Sequence, residues 1–184
     1  TFSLVKYQRL LFFFWLFSLV IVTPFSSVRA QSSDSFTVYV FLLDECRICQ
    51  EVAPELNKIY TLTKENNIGF VGYFPNLSSN DAGIQKFRKK YKVQYTLSTD
   101  FEKEVAKRFA ATTLPEVVMW NETKNELVYR GLINNLFYAP GKRRHKITQH
   151  YLKDAIFAVQ GGKYPATKTT DPIGCFINYS ENPF

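Results

Sequence analysis

Apolar and polar positions fall into distinct patterns along the 184 residues. Leu10 to Val22 is an apolar run, preceded by Lys6 and Arg9, closed by Pro24 and followed by small polar residues up to Val28-Arg29-Ala30. A charged start, a short apolar stretch and a small-x-small site predict a signal peptide over residues 1–30, cleaved after Ala30. A membrane span needs about 20 apolar residues, so a retained anchor is the weaker reading. Residues 31–35 read as a flexible, polar lead-in. Phe36 to Leu43 (FTVYVFLL) is continuously apolar and rich in β-formers, which predicts a strand buried on both faces. From Cys46 to about Lys64 the spacing turns helical, with Val52, Leu56, Ile59, Tyr60 and Leu62 on one side, and Asn66-Asn67 ends it. Ile68 to Phe74 predicts a second buried strand, Ala82 to Tyr91 a basic amphipathic helix, and Val93 to Ser98 a short extended piece. Asp100 to Phe109 predicts a helix with Phe101, Val105 and Phe109 inward. Glu116 to Trp120 and Glu126 to Gly131 predict a strand pair around a turn. Asn134 to Lys146 reads as a long loop, Thr148 to Val159 as the last helix stopped by Gly161-Gly162, and the rest as an irregular tail. Strands and helices in this order predict one α/β domain over residues 36–160, with a tail over 161–184 that carries Cys175.

Composition changes this picture little. Hydrophobic residues make up 46% of the chain and charged residues 21%, values of an ordinary globular protein. The formal net charge is +7, but Lys6, Arg9 and Arg29 belong to the predicted signal peptide, so the remainder is mildly basic. No basic stripe with interleaved aromatics is present, which argues against a nucleic-acid partner. The run Lys142-Arg143-Arg144-His145 reads as a solvated loop. Asn76, Asn121 and Asn178 each begin an N-x-S/T sequon.

The candidate chemistry lies in the cysteines. Cys46-Arg47-Ile48-Cys49 is a C-x-x-C at the junction of a buried strand and a helix. The first turn of a helix offers unpaired N–H groups and the positive end of its dipole, which favour a thiolate at Cys46. Arg47 should help and Glu45 oppose. Cys49, one turn deeper, is placed to displace a substrate from Cys46. A zinc site needs four ligands, and Cys175, His145 and His150 do not stand at ligand spacing, so no metal is expected. A structural disulfide of this short span would constrain the unfolded chain little. Cys175 stays open between a packed or free thiol, a third redox group, an intermolecular disulfide and a contact covering the active site. His145 and His150 read as surface or loop residues.

These residues resemble the thioredoxin superfamily over Phe36 to Gln160. The stretch CRICQEVAPEL is similar to the family's redox helix, with Pro54 five residues after Cys49. Thr113-Leu114-Pro115-Glu116 matches the place of the family's cis-proline, and the strands of Trp120 and of Val128 to Gly131 match its closing hairpin. The resemblance implies a thioredoxin-like fold: a central mixed sheet flanked by helices, with a helical insertion between Pro75 and Phe109 and an irregular C-terminal tail. It implies that Leu114 and Pro115 face the substrate, the backbone before the proline pairing with it as a strand. A narrower likeness to bacterial exported redoxin-like or TlpA-like proteins rests on that insertion, on YRGLINN (129–135) and YLKDA (151–155), and on TDPIGCFI (170–177) with its Gly-Cys.

The resemblance implies an exported, periplasmic or extracellular thiol–disulfide oxidoreductase without metal or organic cofactor. Its expected partners are protein disulfides or dithiols and a membrane electron donor, with a monomer as the expected state. Three departures stand out. The family's Trp-Cys-Gly-Pro-Cys is here Glu-Cys-Arg-Ile-Cys. Val40 stands where thioredoxin carries a buried acid, leaving Asp44, Glu45 or water to handle protons. Leu43 stands where peroxiredoxins, which share the fold, carry a threonine. The alternatives are a binding or assembly module without turnover and a thiol-dependent peroxidase.

Overall fold

The run FTVYVF forms β1 (Phe36–Phe41) in the middle of a five-stranded sheet. The computed structural model describes residues 34–181. The expected signal peptide and most of the lead-in lie outside them. β1 pairs in parallel with β2 (Gly69–Phe74), which pairs in parallel with β3 (Thr96–Thr99). On its other edge β1 runs antiparallel to β5 (Glu116–Asn121), which forms a hairpin with β6 (Glu126–Gly131). The order β3-β2-β1-β5-β6 makes a mixed sheet. A strand at its centre has both faces covered, hence its near-continuous apolar sequence. Val38, Val40 and Phe41 are fully buried, and the Tyr39 ring packs against Phe109 at 4.5 Å between centroids.

Helix α1 (Arg47–Glu65) follows β1 and buries Ile48, Cys49, Val52, Leu56 and Ile59. It ends where Asn67 takes a left-handed backbone, as the Asn66-Asn67 pair predicts. Helix α2 (Asp81–Tyr91) starts at Asn80, whose side chain accepts the Gly83 N–H at 2.9 Å. Helix α4 (Tyr151–Gln160) buries Leu152, Ala155 and Ile156 and packs on β5 and β6. Among the described residues no helix is long and apolar enough to cross a membrane.

Three expected elements differ. The helix predicted over Asp100–Phe109 is only α3, Glu104–Arg108. Lys103 has φ +60°, which breaks the turn before it, and Asp100 instead caps α3 by accepting the N–H groups of Val105 and Ala106 at 3.1 and 2.8 Å. Of its expected inward residues only Phe109 is buried. Ala106 and Lys103 are buried instead, with Lys103 Nζ donating to the carbonyls of Phe101 and Glu181. The loop over 134–146 contains a small hairpin, β7 (Phe137–Ala139) with β8 (Lys142–Arg143).

The tail also holds structure. Its strand β9 (Cys175–Phe176) pairs antiparallel with β4 (Thr113–Leu114). Upstream, Thr170 N donates to Arg130 O at 3.0 Å, and Gly131, at φ +122°, passes so close to Thr170 that a Cβ there would meet its carbonyl oxygen at 2.1 Å.

Candidate active site

Cys46 is the residue before α1, with extended backbone, and its carbonyl accepts the Gln50 N–H at 3.0 Å. The strand-to-helix junction therefore holds the sulfur at the first turn. Cys49 is fully buried one turn on, and the Leu43 N–H donates to its sulfur at 3.4 Å. Opposite stands the Leu114–Pro115 bond, which is cis. Cys46 Sγ lies 3.3 Å from the Leu114 carbonyl oxygen and donates to it when protonated. The C-x-x-C and the proline loop, 68 positions apart, are thus one site.

Cys175 belongs to the same site. β9 sets it directly opposite Leu114, and its sulfur is 2.9 Å from Cys46 Sγ. All three cysteines are free thiols. They grade outward: Cys49 is 0% exposed, Cys46 2%, and Cys175 is half-buried. A shallow apolar hollow beside them is lined by Ile48, Val52, Pro115, Leu132, Phe137 and Ile173.

The hydrogen bond from the Cys49 thiol, with a second from Cys175, holds the Cys46 pKa down to about 5 against the opposing effect of burial. Burial raises Cys49 well above a free thiol, and the negative charge on Cys46 adds to this. Burial and the same neighbour push Cys175 up to about 12. One sulfur carries the charge and two protonated thiols surround it. The sequence pointed to Arg47 as the helper. That side chain is instead turned outward onto Glu51 at 2.7 Å, and Glu51 also receives Arg143 at 3.0 Å. Asp44, expected to handle protons, accepts from Ser79 Oγ at 2.5 Å.

Several residues that shape the site escape the sequence reading. Glu116, fully buried after Pro115, accepts the N–H groups of Thr112 and Thr113 at 2.9 and 3.3 Å and pairs with Arg130 at 2.5 Å. A lone carboxylate heading the apolar strand VVMW was the signal available. Asn76 fixes β9 from the side: its Nδ2 donates to Phe176 O at 3.1 Å, and its Oδ1 accepts the Asn178 N–H at 3.0 Å. Asn76 and Asn121 are buried and hydrogen-bonded, so neither sequon is open to glycosylation in the folded chain. His145 is exposed and His150 is partly so, the latter 3.9 Å from Glu55.

The AhpC/TSA family profile matches residues 25–131, more than half of the chain. No curated protein matches the sequence. The fold is similar to the crystal structure of an uncharacterized conserved protein from Geobacillus kaustophilus, at 21% identity over 82% of this chain and 80% of that chain, with a TM-score of 0.67. It is equally similar to a hypothetical protein from Sinorhizobium meliloti, at 19% identity over 82% of each chain, with a TM-score of 0.66. StoA from Bacillus subtilis overlaps in part, at 20% identity over 55% of this chain and 76% of that chain, with a TM-score of 0.48. The α/β, thioredoxin-like class with a mixed central sheet stands. The tail is irregular apart from an isolated bridge at Thr169 and the two-residue strand β9, which docks on β4.

Proposed function

The chain belongs to the AhpC/TSA family, and on that premise we propose that it is an exported thiol–disulfide oxidoreductase working through Cys46 and Cys49. Cys46 is the nucleophile. Its thiolate attacks one sulfur of a substrate disulfide, one half leaves as a thiolate that takes up a proton, and a mixed disulfide remains on Cys46. Cys49 loses its proton and attacks the Cys46 sulfur, releasing the other half and closing Cys46–Cys49. Leu114 and Pro115 face the substrate, which is a protein disulfide or dithiol. A membrane electron donor completes the cycle, and the mature chain starts near Gln31 outside the cytosol.

The observation that carries this reading is the convergence on one sulfur. Cys46 has a depressed pKa, a resolving thiol behind it and the Leu114 backbone in front. A binding module has no use for a depressed thiol pKa. A peroxidase does, but Leu43 offers no hydroxyl three residues before Cys46 to hold a peroxide.

The test is a titration of the cysteine pair against glutathione or dithiothreitol with thiol trapping. Two thiols are expected to oxidise together. A potential near −250 mV or lower assigns a reductant, and one near −150 mV or higher an oxidant or isomerase, by comparison with known redox proteins, roughly. If Cys46 never enters a disulfide, the oxidoreductase reading fails and the binding module replaces it. Peroxide consumption lost in Cys46→Ser would favour the peroxidase.

A further inference from the structure

We propose that Cys175 is a second resolving cysteine, presented to Cys46 by a strand of the chain's own tail that occupies the place of a substrate strand. The proposal rests on Cys46 being the nucleophile and extends that reading.

Four observations meet here. The first is register: Leu114 pairs with Cys175 and Thr113 with Phe176, and Ile177 N donates to Thr112 O at 3.0 Å. The backbone edge next to the proline is therefore taken by β9. The second is reach, since the sulfurs of Cys175 and Cys46 stand 2.9 Å apart. The third is the glycine before the cysteine. A Cβ at Gly174 would lie 2.0 Å from Leu114 O and 2.6 Å from its carbonyl carbon, so only glycine lets the tail come this close. The fourth is fixation of the tail just after Cys175, through Asn76 on Phe176 O and Asn178 N–H, Tyr179 Oη donating to Ala111 O at 2.6 Å, and the Leu77 N–H donating to Glu181 at 3.0 Å. A cysteine held by so many bonds is part of the built site.

The chemistry needs nothing beyond thiols and disulfides. With a small disulfide as oxidant, Cys46 attacks and one thiolate leaves and is protonated. Cys175 gives up its proton and attacks the Cys46 sulfur, and the second thiolate leaves. One disulfide is consumed, one Cys46–Cys175 disulfide forms and two thiols are released. Starting from Cys46–Cys49, the same attack forms Cys46–Cys175 and frees Cys49, which takes up a proton, with no net oxidation. When the charge on Cys46 is lost to a disulfide, its share of what keeps Cys175 protonated is lost too, so Cys175 becomes a better nucleophile when there is something to attack.

The test uses the full chain as Cys49→Ser and as Cys49→Ser/Cys175→Ser. Each is reduced, treated with oxidised glutathione, trapped with an alkylating agent and mapped by non-reducing peptide mass spectrometry. The double variant is expected to keep one glutathione on Cys46. The single variant is expected to lose it to a Cys46–Cys175 disulfide, with glutathionylated protein reduced about tenfold or more, as expected for a tethered attacking group. A single variant that stays glutathionylated, or that links Cys175 between chains, overturns the proposal. If the double variant takes no glutathione, Cys46 is not the nucleophile and both readings fall. Should Cys49→Ser not fold, the wild-type chain after one equivalent of oxidant is compared with Gly174→Val. Wild type is expected to yield the Cys46–Cys175 peptide pair, and Gly174→Val about tenfold less of it because the tail can no longer close on Leu114. Absence of that pair in wild type, or its persistence unchanged in Gly174→Val, overturns the proposal.

Discussion

Cys46 stays ionised because its neighbours are protonated thiols that donate to it, which ties its acidity to the oxidation state of the other two sulfurs. In Cys175→Ala one donor is gone, so the pH midpoint for alkylation of Cys46 should move up from about 5, read by iodoacetamide kinetics. The sign for stability follows from linkage. A free thiol in the unfolded chain ionises near pH 8.5, roughly, and the folded value is lower. The reduced protein therefore holds this contribution fully above that pH and loses it as pH falls through about 5. Urea midpoints of the reduced wild type should fall over this window, and those of Cys46→Ser should fall less. Glu116→Ala removes the partner of Arg130 and of two backbone N–H groups at once. It should cost about 3 kcal/mol by chemical denaturation, toward the low end for a buried pair because Arg130 can rehydrate. Of the proposed site, the Cys46-x-x-Cys49 pair is legible from its spacing, whereas Leu114-Pro115 is singled out only through the family resemblance. Arg47 was misread because a sequence shows that a charge is near, and only the structure shows that Glu51 takes it.

At the scale of elements, the strands and the longer helices were readable because each buries a periodic apolar face. β1, α1, β2, α2 and the β5–β6 hairpin fall within a few residues of their expected bounds. The misses share a physical cause. α3, the β7–β8 hairpin and β9 are too short to show a period, and what fixes them is single side-chain or backbone bonds, local for α3 and the hairpin and distant for β9. Asp100 caps α3 and Asn76 clamps β9, and neither act leaves a period in the sequence. Asn76 tests this directly. Its amide makes two bonds to the tail, at Phe176 and Asn178, so Asn76→Ala should cost about 1–3 kcal/mol. It should also speed hydrogen exchange at Phe176 to Asn178 and raise the alkylation rate of Cys46, which is 2% exposed while the strand is docked. Unchanged exchange in the tail would mean that other contacts hold β9.

For the whole molecule, the two disulfides open to Cys46 differ greatly in what they enclose. Cys46–Cys49 closes one helical turn, whereas Cys46–Cys175 joins positions 129 apart. By loop-closure entropy the long link should stabilise the fold by about 5 kcal/mol and the short one by about 2 kcal/mol. In Cys49→Ser, where only the long link can form, the urea midpoint should rise markedly on oxidation. The docking of β9 beside β4 also has a mechanical consequence. A chain pulled from its two ends first strips the tail from Leu114, a short antiparallel pair, before the sheet yields. With the long link closed, that first step is blocked, and roughly 450 Å of contour is withheld from extension. With the short link closed, roughly 10 Å is withheld. A single-molecule pulling trace would read the difference as missing length. A machine that unfolds proteins by threading them would have to carry a closed loop of most of the chain instead of a single strand.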